Sequence, residues 1–460
     1  MRSPSILVLS LVLGACALPS PPAREQLQHD TLPTVTLPAQ WQSPALAGEV
    51  KQSWLARFDD PALNALIEEA LAHNLDLPAA AARIEQAAAA VKAAGATLQP
   101  NVVAYGRAGG KMSDGSGLTG FGLNVSWELD LWGRVRAGRE AARAQYASTE
   151  ADYAWAQQSI AAAVARAWFL NIETRAQREL LQDLIRTQQA QLELARSRSR
   201  IGNADLTPVV QLESALASSR DSERQLALAQ NQAQRGLEVL LGRYPSGTIE
   251  TPDNFKPLPP DLPAGLPASL LERRPDLLAA ERRVAAAFYR TTEAKAARLP
   301  SIKLTAGVNS ISSDLFVLKD RDNPVWSAGA GLLAPIYMGG ALEAQVEART
   351  AEQKQALAAY GQASLKALSE VEEALASNIA LRERADILVQ QETASKRLVS
   401  LAEKRQQIGS GDHRNVLSEE LNLLGVRASL LRIQSEARVQ RVNLHLALGG
   451  DFVVPAASGN

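Results

Sequence analysis

The sequence predicts a mainly α-helical protein with a membrane β-barrel, built from one repeat written twice, and three observations predict it. First, Phe121 to Asp130 alternates: Phe121, Leu123, Val125, Trp127 and Leu129 are apolar, whereas Gly122, Asn124, Ser126, Glu128 and Asp130 are not. A period of two is a strand with one apolar face. Second, Val135 to Arg200 holds no proline and one glycine, Gly138, amid Ala, Gln, Arg, Glu and Leu. Such a helix would be roughly 100 Å long, far beyond what a globular core needs. Third, the same grammar recurs. Trp326, Ala328, Ala330, Leu332, Ala334 and Ile336 share one face of a strand, and Ala341 to Ile408 is again free of proline, with the single glycine Gly361. Asp76 precedes Pro100 as Asp276 precedes Pro300, and Ile201-Gly202 precedes Leu241-Gly242 as Ile408-Gly409 precedes Leu448-Gly449. A repeat of about 200 residues is too long for a solenoid unit and reads as an internal duplication.

Taken in order, residues 1–15 read as a secretory signal: Arg2, then the apolar run Ile6 to Leu13, too short to span a bilayer. Cys16, the only cysteine in the chain, stands where such a signal is cut. Leu13-Gly14-Ala15-Cys16 resembles a bacterial lipobox, in which the cysteine becomes the mature N-terminus and carries lipid, and Ala17 after it fits an outer-membrane address. The plainer reading is an exported protein with an incidental thiol. No disulfide is possible within the chain. With 48 basic and 49 acidic residues the net charge is −1, which gives no support for binding nucleic acid. No window approaches twenty apolar residues after the signal, so a membrane passage would have to be made of strands.

Residues 16–50, with Pro19, Pro21, Pro22, Pro33, Pro38 and Pro44, read as a lipidated, extended tether. The first repeat covers 51–243. It opens with Asp60-Pro61, a helix N-cap followed by proline at the first helical position. Strands are expected at about 101–110 and 120–131, a long helix at about 133–200 and a return helix at about 206–242. A proline-rich linker covers 244–267. The second repeat, 268–450, is expected to carry strands at about 301–311 and 326–337, a long helix at about 340–408 and a return helix at about 414–448. Residues 451–460 form a tail.

Four amphipathic strands cannot close a barrel in lipid, where an open edge leaves backbone groups unpaired. Strands that span a membrane therefore require several copies of the chain: three would supply twelve strands and four would supply sixteen. Phe121 and Trp326 begin two strands, Trp132 and Tyr337 end them, and these positions suit two interfacial girdles. A soluble sandwich with aromatic core residues is the alternative. Both long helices carry apolar seams at coiled-coil spacing: Tyr146, Tyr153 and Ile160 are seven apart, as are Leu368 and Leu375, and Leu401 and Ile408, while Leu417, Leu421, Leu424, Ala428 and Leu431 beyond the second turn step by four and three. Each long helix ends at a glycine turn, Gly202-Asn203-Ala204-Asp205 or Gly409-Ser410-Gly411-Asp412-His413, and a returning helix follows.

With these elements in place, the chain resembles the outer-membrane factor family of tripartite efflux pumps, the TolC and OprM type, and within it the lipoprotein branch. The resemblance rests on Trp54, Phe58, Asp60, Pro61 and Leu63; on Trp127-Glu128-Leu129-Asp130-Leu131-Trp132-Gly133-Arg134; on Arg273-Arg274-Pro275-Asp276 and Ala280-Glu281; and on Pro335 with Gly339-Gly340. It covers nearly the whole mature chain. It implies a TolC-like homotrimer in the outer membrane of a Gram-negative bacterium. Four strands per chain would form a twelve-stranded barrel, continued by an α-helical barrel through the periplasm. Such a trimer is a passive conduit for drugs or other small toxic compounds. The implied partners are a periplasmic adaptor protein, an inner-membrane pump of the resistance-nodulation-division type and outer-membrane lipid.

The resemblance also places the periplasmic aperture and the adaptor-docking surface at the hairpin tips. A ring of acidic residues there aligns with Asp412 and Asp205 or, by the register of Val416-Leu417-Ser418-Glu419, with Gly411. Aperture candidates are Asp205, Asp412, His413 and Arg414; docking candidates are Gly202, Asn203, Gly409 and Gly411. Like charges gathered by symmetry repel one another and attract cations, so a closed tip would need further contacts. Arg198, Arg200, Arg405 and Arg414 are available for them, although solvated charges at a coiled-coil end are the blander reading.

No enzyme constellation is present: His29, His73, His413 and His445 have no ligand spacing to one another, and there is neither a phosphate loop nor a nucleophile elbow. No metal and no cofactor is expected besides covalent lipid on Cys16. Two rivals remain, the outer-membrane conduit of a type I protein secretion system and a periplasmic coiled-coil scaffold without a pore.

Overall fold

The computed structural model describes residues 18–46, 48, 55–107, 118–201, 206–261, 263–313 and 324–450. A short helix, α1 (Arg24–Thr31), precedes the repeats. The first repeat holds α2 (Pro61–His73), α3 (Asp76–Ala96), β1 (Asn101–Arg107), β2 (Leu118–Leu129), α4 (Arg134–Arg200) and α5 (Thr207–Leu240). The second holds α6 (Pro267–Arg273), α7 (Pro275–Ala296), β3 (Ser301–Ser313), β4 (Val325–Leu333), α8 (Ala341–Gln407) and α9 (His413–Ala447). The order of elements is the same in both halves, and α4 and α8 are each 67 residues long, so each is roughly 100 Å in length.

Local chemistry starts these helices where it is needed. Asp60 accepts from the N–H groups of Ala62 and Leu63 at 3.1 and 3.2 Å, and Pro61 occupies the first helical position, where no N–H is missed. Its second oxygen accepts from Trp168 Nε1 at 2.8 Å, which ties the cap to a buried indole of α4. Asp130 serves α4 in the same way, accepting from Val135 and Arg136 N–H groups, both at 2.9 Å.

The chain divides into two units. One comprises Met1–Thr36, Ala80–Tyr153 and Pro275–Ser364 and contains the sheet. Its core includes Leu27, Ala280, Val284 and Tyr360. The other comprises Leu37–Ala79, Ala154–Arg274 and Leu365–Asn460, with buried clusters around Leu192, Val209 and Leu216 and around Leu381, Ile433 and Ala437. On α8 the buried residues Tyr360, Ser364, Ala367, Val371 and Ala374 step by four and three. On α9, Val416, Leu423, Leu430, Ala437 and Leu444 are buried at intervals of seven. Both are heptad stripes, with alanine and serine admitting close helix approach. The stripe on α9 differs from the seam expected at Leu421, Ala428 and Leu431, which are only half-buried. The apolar arc of that helix is wider than one seam, and the chain covers its other side.

Two expectations are corrected. The segment 16–50 is not an extended tether throughout: α1 packs Leu27 into the core of the first unit, and Trp41 is buried with its indole N–H donating to the Ala264 carbonyl at 3.2 Å. Apolar side chains separated by proline-rich turns are enough to dock a segment that composition alone makes look free. The single glycine of α8 records this docking, since a β-carbon at Gly361 would lie 3.1 Å from the Thr31 carbonyl oxygen. The fourth strand, expected to reach 337, stops at Leu333, because Pro335 has no N–H to give to a ladder. Tyr337 therefore stands beyond the strand, and so does Trp132, three residues past the end of β2.

Candidate functional site

The sheet has the order β1-β2-β3-β4 with every pair antiparallel. Its register gathers the alternating residues. Rows run across three strands as Leu123–Val308–Trp326, Val125–Ala306–Ala328, Trp127–Leu304–Ala330 and Leu129–Ile302–Leu332. All of them share one face, because directly opposed residues point the same way. The other face carries Asn124–Gly307–Ser327, Ser126–Thr305–Gly329 and Glu128–Lys303–Gly331. One side is thus made for hydrocarbon and the other for water.

The apolar face lies open in a single chain: Val102 is 62 %, Phe121 61 % and Trp326 77 % exposed. Phe121 stands opposite Ser310 and Trp326 opposite Val308, two residues along the same strand, so these two aromatics lie close to one level. Trp132 donates its indole N–H to the Pro300 carbonyl at 2.7 Å, and Tyr337 is exposed. On the polar face the Tyr105 hydroxyl donates to Asn309 Oδ1, bridging β1 and β3 over Gly122. A β-carbon at Gly122 would lie 2.8 Å from Tyr105 Cζ, so that bridge needs glycine beneath it. β1 and β4 each pair on one side only, leaving two open edges.

In the second unit, the hairpin tips bring together residues more than two hundred positions apart. Asp412 caps α9, accepting from the Arg414 N–H at 3.0 Å, and accepts from Arg198 Nη2 at 2.6 Å. The Arg198 guanidinium, then the Arg414 N–H, hold the Asp412 carboxyl down at about 2. His413 Nδ1 lies 3.3 Å from Gln406 Oε1, and Arg200 lies 3.5 Å from the Ser197 hydroxyl. Gly409 takes φ +75°, and its neighbour Ser410 donates its N–H to the Arg405 carbonyl at 2.9 Å. A β-carbon at Gly411 would stand 2.9 Å from Arg405 Cβ and 3.1 Å from the carbonyl carbon of Arg405. No acid can occupy that position without opening the turn, and the carboxylate nearest to it is the cap, Asp412.

Cys16, Gly202, Asn203 and Asp205 lie outside the described residues. Among the described residues, no group of three or more His, Cys, Asp or Glu side chains is placed to hold a metal. Residue spacing marked Ile201 and Ile408 as repeat equivalents but assigned them nothing. They are 74 % and 79 % exposed beside the tip turns, with Leu206 at 65 %. An apolar residue at the same place before both turn glycines was the signal available.

An amphipathic sheet with unpaired edges, in a chain whose two helical hairpins each join a 67-residue helix to a return helix of 34 or 35 residues, is the design of an outer-membrane channel protein. The comparisons give the family. The model of the outer membrane efflux protein family matches residues 66–243 and 266–450, and the chain belongs to that family. The outer membrane is its location. The chain is 32 % identical to the pyoverdine export outer membrane protein OpmQ of Pseudomonas putida over 97 % of each chain. It is 30 % identical to the cation efflux system protein CusC of Escherichia coli K12 over 72 % of each. Among solved structures, the outer-membrane channel OprN superposes with a TM-score of 0.81 at 27 % identity, covering 94 % of this chain and 99 % of that one.

Proposed function

We propose that three copies of this chain close a twelve-stranded barrel in the outer membrane and that their long helices line a passive outlet for small toxic compounds. The observation that carries this reading is the sheet: one face predominantly apolar, the other predominantly polar, both edges open. Hydrocarbon tolerates such a sheet only if neighbouring copies complete the ladder, β4 of one chain beside β1 of the next. Phe121 and Trp326 would sit in one interfacial girdle, and Trp132 and Tyr337, beyond the strand ends, at the other.

The tips serve as the periplasmic aperture, with Asp412, His413, Arg414 and Asp205 around it. Gly202, Asn203, Gly409 and Gly411 provide the turns against which a periplasmic adaptor protein docks. The exposed Ile201, Leu206 and Ile408 supply apolar contact for it. Behind the adaptor stands an inner-membrane pump of the resistance-nodulation-division type. Cys16 carries lipid. What supports this is the sequence Leu13-Gly14-Ala15-Cys16 at the end of the apolar run.

Native mass spectrometry of protein extracted from outer membranes in detergent tests the reading. A trimer bearing three acylated N-termini is expected. A lipid-free monomer that stays soluble without detergent would remove the barrel and the conduit together.

A further inference from the structure

In the second unit, α4, α8 and α9 enclose a cavity of about 360 Å³. Its wall includes Trp155, the cation Arg166, the acids Glu370 and Glu373 and the neutral residues Ser377 and Asn443. Glu370 is matched. It accepts from Arg274 at 2.7 Å, and Arg274 also donates to the Ala447 carbonyl at 3.2 Å and lies 4.9 Å from the centre of the Trp155 ring. Arg166 differs. It is half-buried, its Nη1 donates to the neutral Asn443 Oδ1 at 3.0 Å, and it makes no ion pair among the described residues. Because Asn443 is part of the wall, this bond fixes the charged end of Arg166 at the cavity. Burial pushes the guanidinium below its ordinary range, with no acid close enough to raise it again. Charges drawn out of water are ordinarily paired.

Glu373 is the second charge without an ion pair among the described residues. It is exposed, and its carboxylate accepts from the Ser369 hydroxyl at 2.8 Å, one turn back on α8. A cation and an anion thus share one wall without meeting. Helix register gives their offset. α8 and α9 run antiparallel, with Arg427 donating to Glu392 at 3.2 Å, and carrying that pairing along both helices brings Asn443 level with Ala376. Glu373 precedes Ala376 by less than a turn, roughly 5 Å along the helix axis. Opposite charges staggered in this way beside an aromatic residue complement a ligand with a planar body, a negative group at one end and a positive group at the other.

We propose that this cavity binds planar zwitterions, with the ligand's carboxylate on Arg166, its ammonium on Glu373 and its ring against Trp155. The site is complete within one chain, so it does not depend on how many copies assemble or on what passes between them.

Isothermal titration calorimetry of the full-length protein in a non-ionic detergent at neutral pH, with para-aminomethylbenzoate, para-methylbenzoate and para-methylbenzylamine, tests this. The three probes share a ring and a length and differ in charge. The zwitterion is expected to bind at least tenfold more tightly than either singly charged probe. Arg166→Gln should abolish its advantage over the amine, and Glu373→Gln its advantage over para-methylbenzoate. Glu373 is exposed, so the effect of its substitution is not a folding defect. Absence of saturable heat with the zwitterion would overturn the proposal. So would para-methylbenzoate binding as tightly as the zwitterion to the native protein, or a preference for the zwitterion that survives both substitutions.

Discussion

Arg198, two residues from the end of α4, donates to Asp412 across 2.6 Å, so the carboxylate that caps α9 is held at the same time by the other long helix. The first repeat and the second therefore meet at their tips through one side chain with two duties.

If this bridge holds the aperture closed, Arg198→Ala and Asp412→Asn should each raise the open probability of single channels in planar bilayers at neutral pH. Unchanged conductance and unchanged cation preference in both would dissociate the bridge from gating. The pH dependence has a definite sign. The Asp412 carboxyl is depressed from 3.8 to about 2, so its contribution is complete above about 4 and is lost only as pH falls through 2. Acidification from pH 7 to pH 5 should leave the tip as it was.

His445 is fully buried, and burial, reinforced by Arg441 and Arg57, holds its imidazole well below the ordinary value of 6.5. The unfolded chain takes up a proton near pH 6.5 that the folded chain refuses, so stability falls as pH drops below that point. The slope from this one group is at most about 1.4 kcal/mol per pH unit. Thermal denaturation of the wild type and His445→Gln between pH 7 and pH 5 should show a steeper loss in the wild type; parallel curves would refute it.

Removing either partner of the Arg274–Glu370 pair should not cost the same. Glu370 is 37 % exposed and, without Arg274, still has Lys366 at 3.9 Å and water beside it, whereas Arg274 is 2 % exposed. Glu370→Ala is expected to lose about 3 kcal/mol, because the buried guanidinium loses its carboxylate while keeping the Ala447 carbonyl and the Trp155 ring, and Arg274→Met clearly less. Equal losses in guanidinium titrations would count against this assignment.

Gly411→Asp would set a second carboxylate beside the Asp412 cap, yet its β-carbon meets Arg405 Cβ at 2.9 Å. The turn must open, at a cost of about 1–3 kcal/mol. Amide exchange should quicken in residues 405–415 while the strands keep their protection. Gly122→Ala should do the reverse: it would break the Tyr105–Asn309 bridge and lower the melting temperature of the assembly without touching the tip.

What was legible in the sequence was whatever has a period. The strands of period two and the repeat of about two hundred residues were readable because each is a local rule carried over many residues, whereas the seam read at Leu421, Ala428 and Leu431 missed the buried stripe of α9. The partition of the sheet into an apolar and a polar face followed from Phe121 to Asp130 and Trp326 to Leu332, since pairing preserves the alternation of each strand. Contacts between distant residues carry no such period. Nothing near Thr31 announces that it will lie on Gly361, and nothing near Arg198 names Asp412 among the acids of the second tip. The end of β4 was misjudged at Tyr337 because the alternation runs on through Ile336, although Pro335 had already withdrawn the backbone donor.

The equal length of α4 and α8 bears on how this architecture arose and how it tolerates change. A half-length ancestor with one hairpin of strands and one of helices could have formed the same ring from six identical polypeptides. Covalent fusion released each half from having to serve in every position. Ser410 and Gly411 could then be fitted to one hairpin end while Asn203 and Ala204 occupied the other. In the proposed three-copy channel a substitution at either place is met three times around the ring instead of six, which leaves the opposite set of ends free to hold the seal while the first one varies.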